Sequence, residues 1–446
     1  MNKKEELKSF IKTHAELFFV PQFLRDYPEA ELYLVGGCVR DILLRRRGAH
    51  TDFDFVIRNL EKEKVELWFS KHGTVDLVGK TFGVYKFLPR GFASTENAFI
   101  DISLPRTEQA QIDGLGGYKN FDVQSDPGLS IEKDLSRRDF TINAMAIDMR
   151  SDELCDPFGG IADLEKKLIR AVGNPTERFQ EDFSRMLRAI RFASELRFDI
   201  ETETLGVIQH QISRIQDRRT HEGKEEFVVP RETIGSELAK AFASNPEGTL
   251  HWLKKTNALG VLFNETLAET GIKYLSAGNP TLPITLLLRQ RTPQNAIEQL
   301  TLTGLDSLPH HSHLRIDPQT VSWLVLRLQQ PWEEKVIQEL RAALFEKTFL
   351  TGLRSDFLLR ALRALGKTAV VEAVKKRTRE IQERWKTETG ETIPPLLSGD
   401  DLLHAGIPAG PQIRQLLEDL RDEQLDGHLL TREAAKKWLA VQIKTP

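Results

Sequence analysis

Two short segments, at 34–56 and 137–145, constrain the fold of this chain more than any other feature. The first contains LVGGCVRD at Leu34–Asp41 and TDFDFV at Thr51–Val56, and the second reads RRDFTINAM. An apolar run that ends at Val35 before two glycines is typical of a strand followed by a turn where the backbone can approach a ligand closely. The pattern predicts a strand, a glycine turn and a helix that begins near Val39.

Alternation of acidic and aromatic residues marks the next strand. Asp52 and Asp54 alternate with Phe53 and Phe55, which is the period of a half-buried strand. The two carboxylates should therefore share one face, while the two phenylalanines point into the core. A third acid, Asp101, lies between apolar neighbours in FIDIS. If its strand pairs beside the first, three carboxylates with oxygen ligands suited to Mg²⁺ could hold two metal ions.

Each of these features is weak alone, because a single Asp-x-Asp is commonly a solvated strand end and a Gly-Gly is commonly a turn. The combination favours a functional site. Gly36 and Gly37 precede a predicted helix, whose N-terminal N–H groups can bind phosphate. Arg40 adds a charged donor.

A helical segment at 180–192 supplies a second group of charged residues. Met186, Ile190 and Ala193 have helical spacing and should face a core. Arg185, Arg188 and Arg191 form a cationic strip on the same helix. Taken alone, such a strip is most often a surface with ordinary ion pairs.

Together the segments resemble the class II tRNA nucleotidyltransferases, the CCA-adding enzymes of the polymerase-β superfamily. The resemblance covers about residues 30–240 and reappears at Leu397–Leu402 and Gly406–Pro411. It implies an α+β fold with a small mixed β-sheet nucleotidyltransferase head followed by an all-helical neck, body and tail. We expect the head at 1–150, the neck with its base-recognition helix at 151–245, the body at 246–350 and a tRNA-binding tail at 351–446.

The resemblance also implies roles for particular residues. Asp52 and Asp54 would bind metal, and Asp101 would be the third carboxylate near the primer 3′-OH. The residues expected at the ribose and triphosphate are Gly36, Gly37, Arg40, Arg138, Asp139 and Asn143. The residues expected around the incoming base are Glu181, Asp182, Arg185 and Arg188.

Base choice would follow from hydrogen bonding. Asp182 would accept from the exocyclic amino group of C or A, and Arg185 would donate to ring acceptors, the edge chemistry that proteins also use on duplexes. Glu181 would hold the Arg185 guanidinium in place. U and G carry a carbonyl where C and A carry the amino group, so they would be rejected.

The implied reaction is addition of CCA to tRNA 3′ ends from CTP and ATP, with Mg²⁺ as cofactor and release of pyrophosphate. A partial enzyme that adds only A or only CC is an alternative, although the long connection at 104–131 argues against CC-only addition. A bacterial poly(A) polymerase is disfavoured because Val78–Tyr85 is less basic than in those enzymes. A silent tRNA-binding protein is disfavoured by the intact acids.

One motif departs from the family pattern. The neck segment Pro230–Leu238 keeps Glu232, Ile234, Glu237 and Leu238, but Thr233 replaces an arginine. A charged insertion at 217–226 precedes it.

Composition fits a large globular enzyme: 446 residues, 40% hydrophobic and 28% charged. No apolar run reaches the length of a membrane span, and the N-terminus lacks a signal-peptide core. The two cysteines form no Cys-x-x-Cys pair, so a reduced, cytoplasmic protein is expected. No protein partner is indicated.

The net charge of −3 means that RNA must be bound by local patches. The best candidate on the tail is the basic stretch that contains Lys375, Lys376, Arg377 and Arg379. His310, His311 and His313 are expected to be solvated loop residues, since no acidic motif accompanies them.

Overall fold

The computed structural model describes residues 14–46, 53–78, 84–92, 99–110, 121–221, 223–263, 271–272, 275, 277–309, 312, 314–350, 352–385 and 394–444. Contacts divide the chain into two compact units, residues 1–264 with 303–307 and residues 265–302 with 308–446. The finer division into head, neck, body and tail stays a prediction. Within the described residues, no helix is long and apolar enough to cross a membrane.

A seven-stranded mixed sheet forms the N-terminal part of the first unit, as predicted. Its strand order is β3-β4-β5-β2-β1-β8-β9. All neighbours are antiparallel except β2 and β5, which run parallel. The strands are β1 (Glu31–Val35), β2 (Asp54–Arg58), β3 (Gly73–Val78), β4 (Val84–Pro89), β5 (Ile100–Ser103), β8 (Ala146–Asp148) and β9 (Leu154–Cys155).

Helices surround the sheet because its strands are apolar on both faces. Phe53 and Phe55 are buried, as the alternation predicted. Phe19 packs against Phe55 and Phe69 on one face, whereas Val56 belongs to a separate apolar cluster on the other. The helices of this part are α1 (Phe19–Asp26), α2 (Gly37–Leu43), α3 (Lys62–His72) and α4 (Ile131–Ser136).

The segment at 104–131, expected to be a long mobile connection, contains regular structure at its described ends. Two strands, β6 (Arg106–Ala110) and β7 (Phe121–Ser125), pair in antiparallel register. Residues 111–120 lie outside the described part of the chain.

The rest of the first unit is helical, with two small sheets. β10 (Leu168–Ile169) pairs with β11 (Asp199–Ile200), and the charged insertion forms a hairpin of β12 (Arg218–His221) and β13 (Lys224–Phe227). The helices are α5 (Gly160–Lys166), α6 (Pro175–Glu181), α7 (Ser184–Leu196), α8 (Thr202–Gln211), α9 (Arg231–Ser244), α10 (Pro246–Lys255) and α11 (Ala258–Phe263). Met186, Ile190 and Ala193 are buried on α7, as predicted.

The second unit is helical throughout its described residues. Its helices are α12 (Thr281–Leu288), α13 (Pro293–Thr303), α14 (Pro318–Leu328), α15 (Glu334–Glu339), α16 (Ala342–Phe345), α17 (Gly352–Ala364), α18 (Thr368–Trp385), α19 (Gly399–His404), α20 (Pro411–Leu425) and α21 (Arg432–Lys444). Near its end, Ser398 and Asp401 form a capping box that fixes the start of α19. This explains the Ser-Gly-Asp-Asp motif.

Candidate active site

Strand register brings the predicted acids to one edge of the sheet. Asp54 at the start of β2 is directly opposite Asp101 on parallel β5, and opposite Val35 at the end of antiparallel β1. Neighbouring strands lie about 4.8 Å apart, so the two carboxylates are close. Both side chains are partly exposed. Asp52, the third predicted ligand, lies outside the described residues.

A lysine also reaches this edge. Lys86 on β4 is in register with Asp101, and its Nζ lies 3.0 Å from Asp101 Oδ1. Carboxylate oxygens suit a hard cation such as Mg²⁺. In the described part of the chain, no group of three or more His, Cys, Asp or Glu side chains is arranged to hold a metal ion.

Gly36 provides the space next to the acids. Its φ is +78°, and a Cβ there would lie 2.8 Å from Nη1 of Arg138 and 3.4 Å from Oδ2 of Asp54. Only glycine combines this backbone conformation with so close an approach of other groups. Gly37 is the first residue of α2, and a Cβ on it would contact Arg40 at 3.6 Å. The two glycines therefore lie between a carboxylate and two guanidinium groups, the chemistry that a metal-bound triphosphate requires.

A chain of hydrogen bonds leads from α2 to α7. Arg40 Nη1 donates to Asn143 Oδ1 at 2.8 Å, and Asn143 Nδ2 donates to Asp139 Oδ1 at 3.0 Å. Arg188 then donates to Asp139 Oδ2 through Nε at 2.8 Å and Nη2 at 2.6 Å. The structure thus brings together four residues that the sequence predicted separately.

Asp139 is saturated by this network. Its Oδ1 also accepts from the Phe140 N–H at 2.8 Å, so the buried carboxylate accepts four hydrogen bonds, about its full capacity. Burial alone would raise the pKa of Asp139, but the Arg188 guanidinium and the Asn143 amide outweigh it and hold the pKa well below its usual range. Burial opposes the charge of Arg188, yet Asp139 and Glu237 raise its pKa further. Asp139 can therefore orient Asn143 and Arg188 better than it can take a further ligand.

The network continues from α7 to α9 and returns to α2. Glu237 on α9 accepts from Arg191 Nε at 2.6 Å and lies 3.9 Å from Arg188 Nη1. Arg191 also pairs with Glu195 at 3.2 Å, and Arg46 bridges Glu195 at 2.9 Å. Arg46 in turn lies 3.4 Å from Asp41.

Asp41 completes the circuit by accepting from Arg40 through both oxygens at 3.0 Å. The predicted neck motif thus contributes Glu237, a buried carboxylate, to the same site. At the start of this motif, Arg231 is held by Gln216 and the Phe227 ring. The substitution at Thr233 leaves the Glu237 contacts intact.

The residues predicted to recognise the base lie at a break between two helices rather than on one. α6 ends at Glu181 and α7 begins at Ser184. Asp182 accepts from the Ser184 N–H at 2.8 Å and from its hydroxyl at 2.5 Å, which is a local turn that competes with the helix. Asp182 and Arg185 are both buried, which suits discrimination by hydrogen bonds.

Arg185 is held from three sides. Its Nη1 donates to Glu181 Oε2 at 2.5 Å, the contact that the sequence predicted, and to the Arg178 carbonyl at 3.0 Å. Its Nη2 donates to the Arg137 carbonyl at 3.2 Å, which ties the guanidinium to the head. The roles in base recognition stay predictions.

Sequence reasoning missed Asp134, which is fully buried on α4. Its carboxylate lies 2.7 Å from Arg137 Nη2 and 3.6 Å from Arg138 Nη2. Burial would raise the pKa of Asp134, but the two guanidinium groups lower it overall. Their helical spacing of three and four residues was a usable signal. Lys86 and Glu237 were also missed as site residues, and only strand and helix packing reveals them.

The predicted tail patch is partly engaged in local structure. Lys375 pairs with Glu372 at 2.7 Å, and Lys376 lies 4.0 Å from Glu380. Arg377 donates to the Ile337 and Gln338 carbonyls at the end of α15, so it caps that helix. Arg379 is exposed. His310, His311 and His313 lie outside the described residues.

Comparisons with known proteins agree with this geometry. The Poly A polymerase head domain family matches residues 32–170, which include the sheet edge and its glycines. The Multifunctional CCA protein of Xylella fastidiosa is 35% identical over 254 residues, or 56% of this chain and 54% of that protein. The Multifunctional CCA protein of Nitrosomonas europaea is 34% identical over 253 residues, or 56% of this chain and 54% of that protein. The matched part therefore spans about half the length of these relatives.

Solved structures extend the likeness along the chain. The CCA-adding enzyme of Bacillus stearothermophilus in complex with CTP superposes with a TM-score of 0.70 at 22% identity, covering 97% of this chain and 98% of that one. The chain has the same fold as this CCA-adding enzyme. The CCA-adding enzyme of Thermotoga maritima with tRNA-CCA gives a TM-score of 0.56 at 21% identity over 94% and 93%. Asp182, Arg185 and Arg188 lie beyond the matched head family, in the part that this fold likeness covers.

Proposed function

We propose that this chain adds C, C and A to the 3′ end of tRNA from CTP and ATP and releases pyrophosphate. One observation carries the proposal: the sheet edge with Asp54 and Asp101 adjoins a closed hydrogen-bonded network that runs to the helix bearing Arg185 and Arg188. A metal-binding edge, a triphosphate position and a base-reading position are thereby joined in one unit. The names of the similar proteins support the same substrates.

We propose Mg²⁺ as the metal, with Asp52, Asp54 and Asp101 as its ligands. The described donors fit it, because they are carboxylate oxygens in register. The Lys86 ammonium next to Asp101 supports the proposal, since a cation already lies beside that carboxylate. When bound, Mg²⁺ would neutralise the phosphate charge and polarise the bonds that are made and broken.

The protein groups position the nucleotide around that edge. Arg138 beside Gly36 and Arg40 beside Gly37 would bind the triphosphate. Asp139 would act through Asn143 and Arg188, because its own acceptor positions are filled. Asn143 would then be the member of this pair that contacts the ribose.

Asp182 and Arg185 would select the base. An amino group on C or A can donate to the Asp182 carboxylate, whereas the carbonyl of U or G would meet a buried anion. Glu181 and the Arg137 carbonyl fix the Arg185 guanidinium, so the pocket does not have to rearrange when a base enters. We place the reaction in the cytoplasm, which fits the reduced thiols of Cys38 and Cys155.

The test uses three tRNAs that end in the discriminator base, in C and in CC, each with single NTPs and with mixtures. A full CCA-adding enzyme extends all three to CCA. An A-adding enzyme extends only the CC form, and a CC-adding enzyme stops at CC. Long A tails on unrelated RNA would instead support a poly(A) polymerase. Binding of tRNA without any extension would refute the enzymatic proposal.

A further inference from the structure

Three guanidinium groups surround the ring of Phe192. The Cζ atoms of Arg191, Arg40 and Arg188 lie 4.0, 5.0 and 5.4 Å from the ring centroid. All three distances are within the range of a cation–π interaction. Phe192 itself is only 5% exposed and makes an edge-to-face contact with Phe140 at 5.9 Å.

The three arginines come from two different elements. Arg40 belongs to α2 of the head, whereas Arg188 and Arg191 belong to α7. Each has a carboxylate partner of its own, and these partners are Asp41, Asp139 and Glu237. The carboxylates therefore accept hydrogen bonds from the guanidinium groups, while the ring lies within cation–π distance of all three.

A ring is suited to this position because its faces carry negative electrostatic potential and its edge does not. Like charges repel, so a cluster of three guanidinium groups is stabilised by a neighbouring negative potential. An aliphatic side chain would fill the volume but would not supply that potential. The ring thus links Arg40 of α2 to α7, the helix that carries Phe192, Arg188 and Arg191.

We propose that Phe192 is a positioning residue for nucleotide binding, whose ring face holds Arg40 and Arg188 in the arrangement that receives the nucleotide. This inference rests on the proposed function, since it assumes that these arginines bind CTP and ATP. It assigns to an apolar side chain a role that depends on the electrostatics of its ring and not only on its volume.

Fluorinated phenylalanines separate these two contributions. Replacing Phe192 by 4-fluoro-, 3,5-difluoro- and 3,4,5-trifluorophenylalanine weakens the negative face stepwise with little change in size. We expect the Kd for CTP, measured by calorimetry on the full chain without tRNA, to rise at each step and by roughly tenfold over the series. Phe192→Leu should weaken binding at least as much.

The same series at Phe242 is the matched control. Phe242 is fully buried on α9 of the same unit, and in the described part of the chain no guanidinium lies over its face. Its series should leave the Kd for CTP within about twofold. Arginine Nε–Hε signals in a spectrum of ¹⁵N-arginine-labelled protein should shift with fluorination at Phe192, which reports the cluster even without nucleotide.

The outcomes separate the two proposals. Normal CTP binding with a flat series at Phe192, or equal slopes at Phe192 and Phe242, would overturn the positioning role while leaving the proposed function intact. Failure of the unmodified chain to bind CTP or ATP would overturn the proposed function and this inference with it.

Discussion

Replacing Asp139 by asparagine should loosen the connection between the segment at 137–149 and α7. Asp139→Asn keeps the shape but removes the charge that two short hydrogen bonds from Arg188 require. Hydrogen bonds to charged groups contribute about 1.5–3 kcal/mol each. The stability lost on substitution is smaller than the sum of the two hydrogen bonds. The Arg188 side chain is 35% exposed, so water can solvate it, and Glu237 at 3.9 Å still compensates its charge. We therefore expect a local destabilisation of about 2–3 kcal/mol.

Amide hydrogen exchange in peptides that span 137–149 measures this effect locally, which matters because a chain of two units need not unfold in one step. Opening should become roughly a hundredfold more frequent in Asp139→Asn. Asp199→Asn is the control, since Asp199 is exposed in the same unit and should change stability by less than about 0.5 kcal/mol. Equal protection in the two variants would refute the argument.

The effect also has a predicted pH dependence. The folded pKa of Asp139 is lowered, so its stabilisation is complete above the ordinary aspartate pKa of about 4 and is lost as the pH falls toward the lowered folded value. The difference between wild type and Asp139→Asn should therefore stay constant from neutral pH to about 5 and shrink in more acidic solution. A difference that grows on acidification would contradict the assignment.

Three further predictions concern metal, base choice and RNA. Lys86→Met should lower the Kd for Mn²⁺, measured by electron paramagnetic resonance, by roughly fivefold, because it removes a positive charge 3.0 Å from Asp101. An unchanged Kd would show that Lys86 does not compete with the metal ion for Asp101. Arg185→Ala should slow the use of CTP and ATP and allow UTP and GTP to be incorporated in mixed-NTP assays, because leaving a buried polar group without its hydrogen-bond partner costs about 1–3 kcal/mol. A slower enzyme that keeps its preference for C and A would show that Arg185 has only a structural role. Arg379→Gln should lower the salt-dependence slope of tRNA binding by about one, with exposed Lys335→Gln as control; equal slopes would exclude Arg379 as a phosphate contact.

Local patterns in the sequence were sufficient for the elements of the head but not for their arrangement. The alternation around Asp54 and around Asp101 predicted two strands, and both are present. Their parallel pairing depends on the order of the strands in the sheet, and no local sequence period encodes that order. From the sequence alone, the pairing of these two strands could only be assumed. The position of Lys86 opposite Asp101 likewise depends on which strands pair, and not on the local sequence.

Side-chain hydrogen bonding explains two features that the motifs did not reveal. Asp182 was expected on a continuous helix, but its carboxylate accepts from the Ser184 N–H and breaks the helix there. The nucleotide contact expected of Asp139 stays a prediction, and in the folded chain Arg188, Asn143 and the neighbouring N–H fill its acceptor positions. Both outcomes depend on which partners the folded chain supplies, so the motif alone could not predict them.

The most direct test of the account is the sequence of the 3′ ends made by wild type and Asp54→Ala from a tRNA that lacks its CCA end, with all four NTPs at equal concentration. We predict that wild type adds C, C and A and then stops, and that Asp54→Ala adds nothing while it binds tRNA with nearly unchanged affinity. Tails of another composition or length from wild type, or near-normal addition by Asp54→Ala, would contradict the proposal that this sheet edge catalyses CCA addition.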